Sequence, residues 1–199
     1  MIIEDTKKRC SWCGTDAIYV DYHDNEWGIP KKDDQELFEL LLLEGAQAGL
    51  SWITILKKRE NYREAFDYFN AEKMAQYTEE KHAELLQNTG IIRNKLKVKA
   101  FSKNATAYLT IKQSGGSFCD FLWQFTDHKT IINQWRDLSE VPTSTPASEA
   151  MSKALKKAGF SFVGPTICYA FMQSSGMVND HLTSCFKHPS NSLDQTKLD

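Results

Sequence analysis

The stretch ALKKAGFSFVGPTICYAF, residues 154–171, carries the clearest structural signal in the sequence. Apolar residues recur every three or four positions up to Gly159, and glycine is typical just beyond the end of a helix. Gly164 is followed at once by a proline, the residue favoured at the first position of a helix. The segment therefore predicts two helices, 146–159 and 165–176, joined by a short turn.

Helical periodicity and helix-end signals continue through most of the chain, whereas strand patterns are nearly absent. A polar segment at 188–199 is expected to be a disordered tail. We therefore predict an all-α protein with a single domain spanning 1–187. The further helices that the sequence predicts are 33–49, 51–69, 78–90 (closed by Gly90 in a left-handed conformation), 93–113 and 117–125.

Length and composition limit the class of protein. The chain has 199 residues, of which 41% are apolar, enough for one domain or for two small ones that share a core. It contains no run of eighteen apolar residues and no secretory signal pattern, so we expect a cytoplasmic protein without membrane contact. Its five cysteines are then expected to be free, buried or metal-bound rather than paired as disulfides.

The net charge of -2 gives no global reason to expect nucleic-acid binding. Basic residues nevertheless cluster at 56–63, 93–99 and 153–159, and each cluster could also be a solvated helix face.

The turn between the two C-terminal helices is a candidate phosphate site. Gly159 and Gly164 permit unusual backbone angles and a close approach, and the amides at the start of the second helix favour an anion. Lys156 and Lys157 add local positive charge. An ordinary pair of antiparallel helices has the same spacing, so both interpretations stay open at this point.

Cysteine and histidine residues near the two ends of the chain form a second candidate site. Cys10 and His23 lie near the N-terminus, and His181 and Cys185 are four residues apart, which on a helix places them on one face. Two cysteines and two histidines would make a closed, structural zinc site. Packing of His181 and Cys185 in the core is the alternative, and Cys13 competes with Cys10 as a ligand.

A third candidate combines aromatic residues with one carboxylate. The segment YVDYHDNEWG, residues 19–28, is unusually rich in both aromatic and charged side chains. Glu44 follows an almost unbroken apolar run, so it lies either exposed at a helix end or inside a pocket. An aromatic cluster is more often core than binding site. The aromatic residues that would surround the pocket are Trp12, Tyr19, Tyr22, Trp27 and Trp52.

Several long motifs resemble the bacterial 3-methyladenine DNA glycosylase I family, a branch of the helix-hairpin-helix DNA glycosylases. The resemblance runs from about Cys10 to Cys185. It implies an all-α fold with two helical lobes around a base pocket, and a structural zinc that ties the N- and C-terminal segments together. The motifs are CSW, YVDYHDNEWGIP, LEGAQAGLSWITILKKRENYR, GIIRNKLK, PTSTPASEAMSKALKKAGFSFVGPTICYAFMQ and VNDHLTSC.

The resemblance also implies residue roles. Glu44, Tyr22 and Trp52 would contact an extruded base, and Tyr19, Trp12 and Trp27 would complete the walls. The zinc ligands would be Cys10, His23, His181 and Cys185. N3-methylation gives adenine a positive charge, so aromatic faces and a carboxylate both favour it.

The expected activity is that of a monomeric base-excision enzyme. It would bind alkylated double-stranded DNA, flip out 3-methyladenine and release it by hydrolysis, without strand cleavage. Leu50 is a candidate wedge that fills the vacated stack. The superfamily places its catalytic aspartate shortly after the hairpin, but here Asp180 adjoins the proposed ligand His181, so Glu44 is the preferred carboxylate.

Two other function classes fit part of this residue pattern. A non-catalytic protein that binds alkylated DNA would keep the hairpin and the aromatic box but would not need Glu44. A zinc hydrolase would need an open metal position, which four protein ligands do not leave.

Overall fold

Helices dominate the described structure. The computed structural model describes residues 6–192. The predicted all-α class is confirmed within this range, apart from one pair of two-residue strands. Within this range the α-helices are Ala17–Asn25 (α1), Asp34–Gln47 (α2), Trp52–Leu56 (α3), Arg59–Ala65 (α4), Ala71–Met74 (α5), Glu79–Leu85 (α6), Lys95–Gln113 (α7), Phe118–Trp123 (α8), Pro146–Lys157 (α9), Pro165–Ser174 (α10) and Pro189–Ser192 (α11). Every helix in the described part of the chain is too short or too polar to cross a membrane.

Short elements fill the connections. Ile131–Ile132 (β1) and Val178–Asn179 (β2) form a two-residue parallel pair, in which Ile131 lies opposite Val178. Single 3-10 turns occur at Ser11–Cys13, Asp67–Phe69, Gln124–Thr126 and Leu138–Glu140.

Side-chain caps lie at three of the predicted helix starts. The Asp33 side chain accepts from the amide of Glu36 (2.8 Å), and Thr78 caps α6 in the same way through Lys81. Thr145 and Ser148 bond reciprocally at the start of α9. These caps satisfy amides that a helix start leaves without intrahelical partners, which is why the starts were predictable from the sequence.

Helix α2 lies at the centre of the core. It contacts α3, α7, α8 and α10, and nearly every residue from Leu37 to Ala46 is buried. A helix that is apolar around most of its circumference must be covered on several sides. Because Glu44 belongs to this stretch, its carboxylate is carried into the interior.

Helices α9 and α10 form the predicted pair. Gly159 has a φ of +102°, as expected for the residue that ends α9. The unusual backbone angle expected of Gly164 is absent, since its φ of -65° suits any residue, and Phe162 has the left-handed conformation in the turn (φ +58°). Asn104 of α7 fixes this turn through two hydrogen bonds with the Ser161 backbone (2.8 and 3.0 Å).

The single helix predicted over 51–69 is wrong. The chain forms α3 and α4 and then three consecutive left-handed residues, Asp67, Tyr68 and Phe69. Gln35 of α2 donates to the Phe69 carbonyl (2.8 Å), and Tyr77 donates to the Asp67 carboxylate. These long-range contacts, which periodicity does not encode, hold the break.

The predicted role of Gly90 is also wrong. Helix α6 ends at Leu85, and Gly90 does not have a left-handed φ. A Cβ at this position would lie 2.9 Å from Asn88 Oδ1 and 3.0 Å from Asn61 Cβ. Gly90 is therefore suited to a close approach rather than to a helix end.

The C-terminal segment differs from the prediction in two ways. His181 and Cys185 lie in a turn rather than on a helix, with the Cys185 amide bonded to the Leu182 carbonyl (2.7 Å). The prediction of a disordered tail from residue 188 onward is wrong for 188–192. His188 is buried and donates to the Asn133 carbonyl (3.0 Å), and α11 follows it. The rest of that tail, 193–199, lies outside the described residues.

Two glycines allow a controlled test of backbone fit. Gly176 (φ +71°) would place a Cβ only 2.3 Å from the Pro30 nitrogen, whereas Gly115 (φ +82°) has no neighbour within 4 Å. Gly115→Ala should cost about 1 kcal/mol from the left-handed conformation alone. Gly176→Ala should cost about 3 kcal/mol or more, because the backbone must also move. Urea unfolding measures both, and equal losses would contradict this packing.

Candidate active site and metal cluster

One pocket collects the predicted aromatic residues and the predicted carboxylate. Its volume of about 190 Å³ is below the ~300–1,000 Å³ of sites for drug-sized ligands, so it suits one small molecule. The residues that line it are Trp12, Tyr19, Tyr22, Trp27, Glu44, Gln47, Trp52, Leu138, Val141, Ala170, Gln173 and Asp180.

The aromatic side chains support one another in a continuous wall. Trp12 lies 5.0 Å from Tyr19 and 4.9 Å from Trp27 between ring centroids, and Tyr22 lies 5.5 Å from Trp52. Helix α1 supplies Tyr19 and Tyr22, which are three residues apart and therefore share a face. Contacts of this kind fix ring orientation, so the wall is formed before any ligand arrives.

Glu44 is the buried carboxylate of this pocket. Only 2% of the residue is exposed, and its Oε2 has no hydrogen-bond partner. Burial raises the pKa of Glu44 to about 8, and contact with the Ser174 hydroxyl acts in the opposite direction. A carboxyl group in this setting is mostly protonated near neutral pH until a ligand brings a donor or a positive charge.

An unsatisfied buried oxygen lies at this pocket. Within residues 6–192, three buried side-chain atoms lack a hydrogen-bond partner: Glu44 Oε2, Trp52 Nε1 and His82 Nδ1. The first two belong to residues that line the pocket. Trp52 also lines a second cavity beside Glu26 and Arg59, so Glu44 Oε2 is the atom that belongs to this pocket. Because such atoms are rare and costly, it indicates a site that a polar ligand completes.

The second carboxylate, Asp180, is saturated with donors. Its Oδ1 accepts from Asn133 (2.7 Å) and Trp135 (2.8 Å), and its Oδ2 accepts from Tyr169 (2.6 Å) and Gln173 (2.8 Å). These bonds join the segment after β1 to helix α10. Asp180 therefore holds the framework of the pocket, whereas Glu44 keeps a free oxygen.

Sequence reasoning missed part of the lining. Leu138 and Val141 come from the segment that Asp180 anchors, and Gln173 comes from α10. No local pattern marks them, since they reach the pocket only through the topology. Gln47 could have been found, because it lies three residues after Glu44 on the same helix.

The remaining predicted residues lie on the surface near helix ends. Leu50 follows α2 and is 40% exposed. Lys156 and Lys157 are exposed in the last turn of α9, and the space beside Gly164 is open within 4 Å. The start of α10 has no side-chain cap, so its first amides are available to an external acceptor.

Four buried side chains form a compact cluster that could hold a metal ion. The ligand atoms of Cys10, His23, His181 and Cys185 all lie within 4.8 Å of one another. Cys185 Sγ is 3.4 Å from His23 Nε2 and 3.5 Å from His181 Nδ1. A tetrahedral zinc ion, with Zn–S of about 2.3 Å and Zn–N of about 2.0 Å, would place sulfur and nitrogen roughly 3.5 Å apart. The cluster therefore fits such an ion.

Outer contacts orient both imidazoles. His23 Nδ1 is 2.7 Å from Asp24, which Arg9 holds in turn, and His181 Nε2 donates to the Trp27 carbonyl (3.2 Å). Such contacts leave the opposite ring nitrogens free to bind a metal. The Trp27 bond also links the cluster to the pocket wall.

Cys10 and Cys13 are both candidate ligands, and the contacts of their thiols distinguish them. Cys10 Sγ lies 3.8 Å from His181 Nδ1, whereas Cys13 Sγ donates to the Cys10 carbonyl (3.2 Å). Cys10 is the member of the cluster. Its thiol, together with the two imidazoles, lowers the pKa of Cys185, which favours the thiolate that a metal requires.

Comparison with known proteins identifies the family. Residues 12–188 match the family model described as methyladenine glycosylase. The chain belongs to this family. Family members span nearly the same length, since DNA-3-methyladenine glycosylase 1 of Escherichia coli (strain K12) is 54% identical over 184 residues, covering 92% of this chain and 98% of the relative.

Solved structures of the family have the same fold. A crystal structure of 3-methyladenine DNA glycosylase I has a TM-score of 0.91 and 56% identity, covering 92% of this chain and 100% of the other. A variant of 3-methyladenine DNA glycosylase I, solved in complex with 3-methyladenine, has a TM-score of 0.87 and 39% identity, with 91% and 97% covered.

Burial of Glu44 predicts a pH-dependent stability difference. The folded chain, with a Glu44 pKa of about 8, keeps a proton that the unfolded chain releases above the ordinary value of 4.5. Wild-type stability should therefore fall relative to Glu44→Gln as pH rises from 4.5 to 8, by up to about 4 kcal/mol. Unfolding curves across this range measure the difference. Glu36→Gln, which removes an exposed carboxylate of α2, is the control, and parallel curves for Glu44→Gln would contradict the assignment.

Proposed function

We propose that this chain is a DNA glycosylase that flips 3-methyladenine out of alkylated double-stranded DNA and hydrolyses its N-glycosidic bond. The observation that carries the proposal is the buried Glu44 carboxylate, whose Oε2 has no hydrogen-bond partner, in a pocket walled by aromatic rings. Family membership and the relative solved with 3-methyladenine support the same substrate.

Recognition rests on the charge of the methylated base. In DNA, N3-methylated adenine is cationic, so it gains from stacking on Tyr22 and Trp52 and from pairing with Glu44. As it approaches, its charge lowers the pKa of Glu44 and favours the carboxylate. Neutral adenine brings no such charge, so the cost of ionising a buried carboxyl is not offset. Tyr19, Trp12 and Trp27 complete the walls.

The C-terminal helix pair is the proposed DNA-backbone site. In this helix-hairpin-helix role, amides at the start of α10 bind a phosphate, Gly164 lets the strand approach, and Lys156 and Lys157 add charge. Gly159 closes α9 so that the turn can form. Leu50 enters the stack vacated by the base. The pocket then lies between two helical lobes of a single domain.

Little general-acid help is needed for the chemistry. Methylation already makes the base a good leaving group, and the C1′–N9 bond breaks through an oxocarbenium-like sugar that water attacks. The electrons of the broken bond pass to the base, which leaves uncharged, so Glu44 acts by holding the flipped cationic base in position before cleavage. Asp180 keeps its framework role because both of its oxygens are already occupied. We propose a monofunctional enzyme without strand cleavage. That it acts as a cytoplasmic monomer stays a prediction.

Zinc is the proposed metal of the Cys10, His23, His181 and Cys185 cluster. Two thiolates and two imidazoles complete a tetrahedral shell, and such a closed site is structural. The ion would tie the N-terminal segment to the turn after β2, next to Trp27.

The function is tested by release of free base. Wild-type protein should release 3-methyladenine from methylated duplex DNA, and Glu44→Gln should do so about 10 to 100 times more slowly, because a charged contact is lost. Chromatography resolves the released base, and Glu36→Gln serves as control. Equal rates for wild type and Glu44→Gln would remove the role of Glu44. Binding of the DNA without any release would favour a non-catalytic protein that binds alkylated DNA.

Metal analysis tests the zinc assignment. Purified wild-type protein should contain one zinc per chain, and Cys10→Ser should lose it, because a hydroxyl is a poor replacement for a thiolate ligand. Cys13→Ser is the matched control and should keep the metal, since its thiol contacts backbone carbonyls. Elemental analysis by mass spectrometry gives the stoichiometry. Metal loss in Cys13→Ser but not in Cys10→Ser would refute the assignment.

A further inference from the structure

Helix α2 ends in a well-defined tight turn that carries Leu50. Ala48 has φ -43° and ψ 117°, Gly49 has φ +77°, and the Leu50 amide donates to the Gln47 carbonyl (2.6 Å). These angles describe a type II turn, which needs a residue with positive φ at its third position. The turn therefore presents Leu50 in one orientation.

The same turn connects the pocket to the surface. Gln47 at its start lines the pocket, and Leu50 at its end is exposed. A change in the turn would thus move the wedge relative to the cavity that receives the base.

A buried lysine from another helix fixes this turn. Lys97 of α7 is 8% exposed, and its ammonium donates to the carbonyls of Ala46 (2.8 Å) and Ala48 (2.7 Å). The Ala48 carbonyl belongs to the central peptide of the turn, whose rotation would convert type II into type I. The hydrogen bond holds that peptide in the type II orientation, and the positive charge also suits the C-terminal end of α2.

Burial of this ammonium has a cost. Desolvation lowers the pKa of Lys97, and lysine is rarely buried unless its charge is compensated. An apolar residue at position 97 would cover the end of α2 without desolvating a charge. The ammonium is therefore better explained by the two carbonyls that it orients than by packing alone.

We propose that Lys97 is a positioning residue for base extrusion, which holds the Gln47–Leu50 turn so that Leu50 enters the stack as the base reaches the pocket. The proposal rests on the proposed function, because it assumes that Leu50 is the wedge. Lys97 itself contacts neither the base nor the reacting bond.

The first test separates extrusion from pocket binding. Lys97→Met keeps a similar side-chain length and removes the charge. At saturating enzyme, it should lower the single-turnover rate of base release from methylated duplex by about tenfold, as expected for loss of a charged hydrogen bond. Its affinity for free 3-methyladenine, followed by tryptophan fluorescence, should stay within about twofold, because within the described chain Lys97 makes no hydrogen bond to a residue that lines the pocket. Lys99→Met is the control, since Lys99 also belongs to α7 and pairs with Glu79 of α6 at the surface.

A double-mutant cycle tests the route through Leu50. Leu50→Ala should slow release from duplex, and adding Lys97→Met should cause little further loss, because the two residues act in one step. Multiplying losses would overturn the proposal, as would a wild-type rate for Lys97→Met or an equal loss of free-base affinity. A wild-type rate for Leu50→Ala would also overturn it. Absence of release by the wild type would instead refute the proposed function.

A second variant covers the case in which Lys97→Met does not fold. Gly49→Ala adds a methyl group in open space, so it perturbs only the left-handed residue of the same turn. It should also slow release from duplex without changing the affinity for free 3-methyladenine, and it should not add to Leu50→Ala. A wild-type rate for Gly49→Ala would show that the turn geometry does not matter and would overturn the proposal.

Discussion

Burial of the Glu44 carboxylate is the constraint around which the structure is organised. Moving a charged carboxylate into an apolar interior is expensive, so the group stays protonated until a compensating partner arrives. Helix α2 makes the burial unavoidable, since apolar residues surround Glu44 on a helix that is covered by α3, α7, α8 and α10. Besides this uncompensated carboxylate, the pocket offers aromatic faces on which a planar ligand can stack. A cationic planar base both compensates the carboxylate and stacks on the rings, whereas a neutral base only stacks.

The pocket also depends on contacts between distant parts of the chain. The Cys10, His23, His181 and Cys185 cluster joins the N-terminal segment to the turn after β2, and the His181 bond to the Trp27 carbonyl transmits that constraint to the wall. Asp180 binds the segment carrying Leu138 and Val141 to α10. The aromatic wall and Glu44 are thus fixed by buried polar groups with specific partners, which a purely apolar core would not orient as precisely.

The sequence predicted those helix ends that depend on neighbouring residues. Caps such as Asp33 and Thr145, the glycine after α9 and the proline at the start of α10 encode helix ends because they satisfy nearby backbone groups. The break at Asp67–Phe69 and the turn around His181 depend on distant partners and were predicted wrongly as helical. Aromatic composition indicated a cluster of rings, and only the family resemblance implied that these rings form a pocket. Gln173 and Leu138 could not be predicted, because only the assembled fold brings them to it.

The most direct test is a titration of the Glu44 carboxyl carbon by ¹³C NMR, assigned by comparison with Glu44→Gln, with and without 3-methyladenine. The account predicts a midpoint near 8 in the free protein, because burial raises the pKa of Glu44. It predicts a lower midpoint with 3-methyladenine bound, because the ligand supplies donors to the unpartnered oxygen. A midpoint near 4.5, or one unchanged by the ligand, would contradict the claim that this buried carboxylate recognises the base.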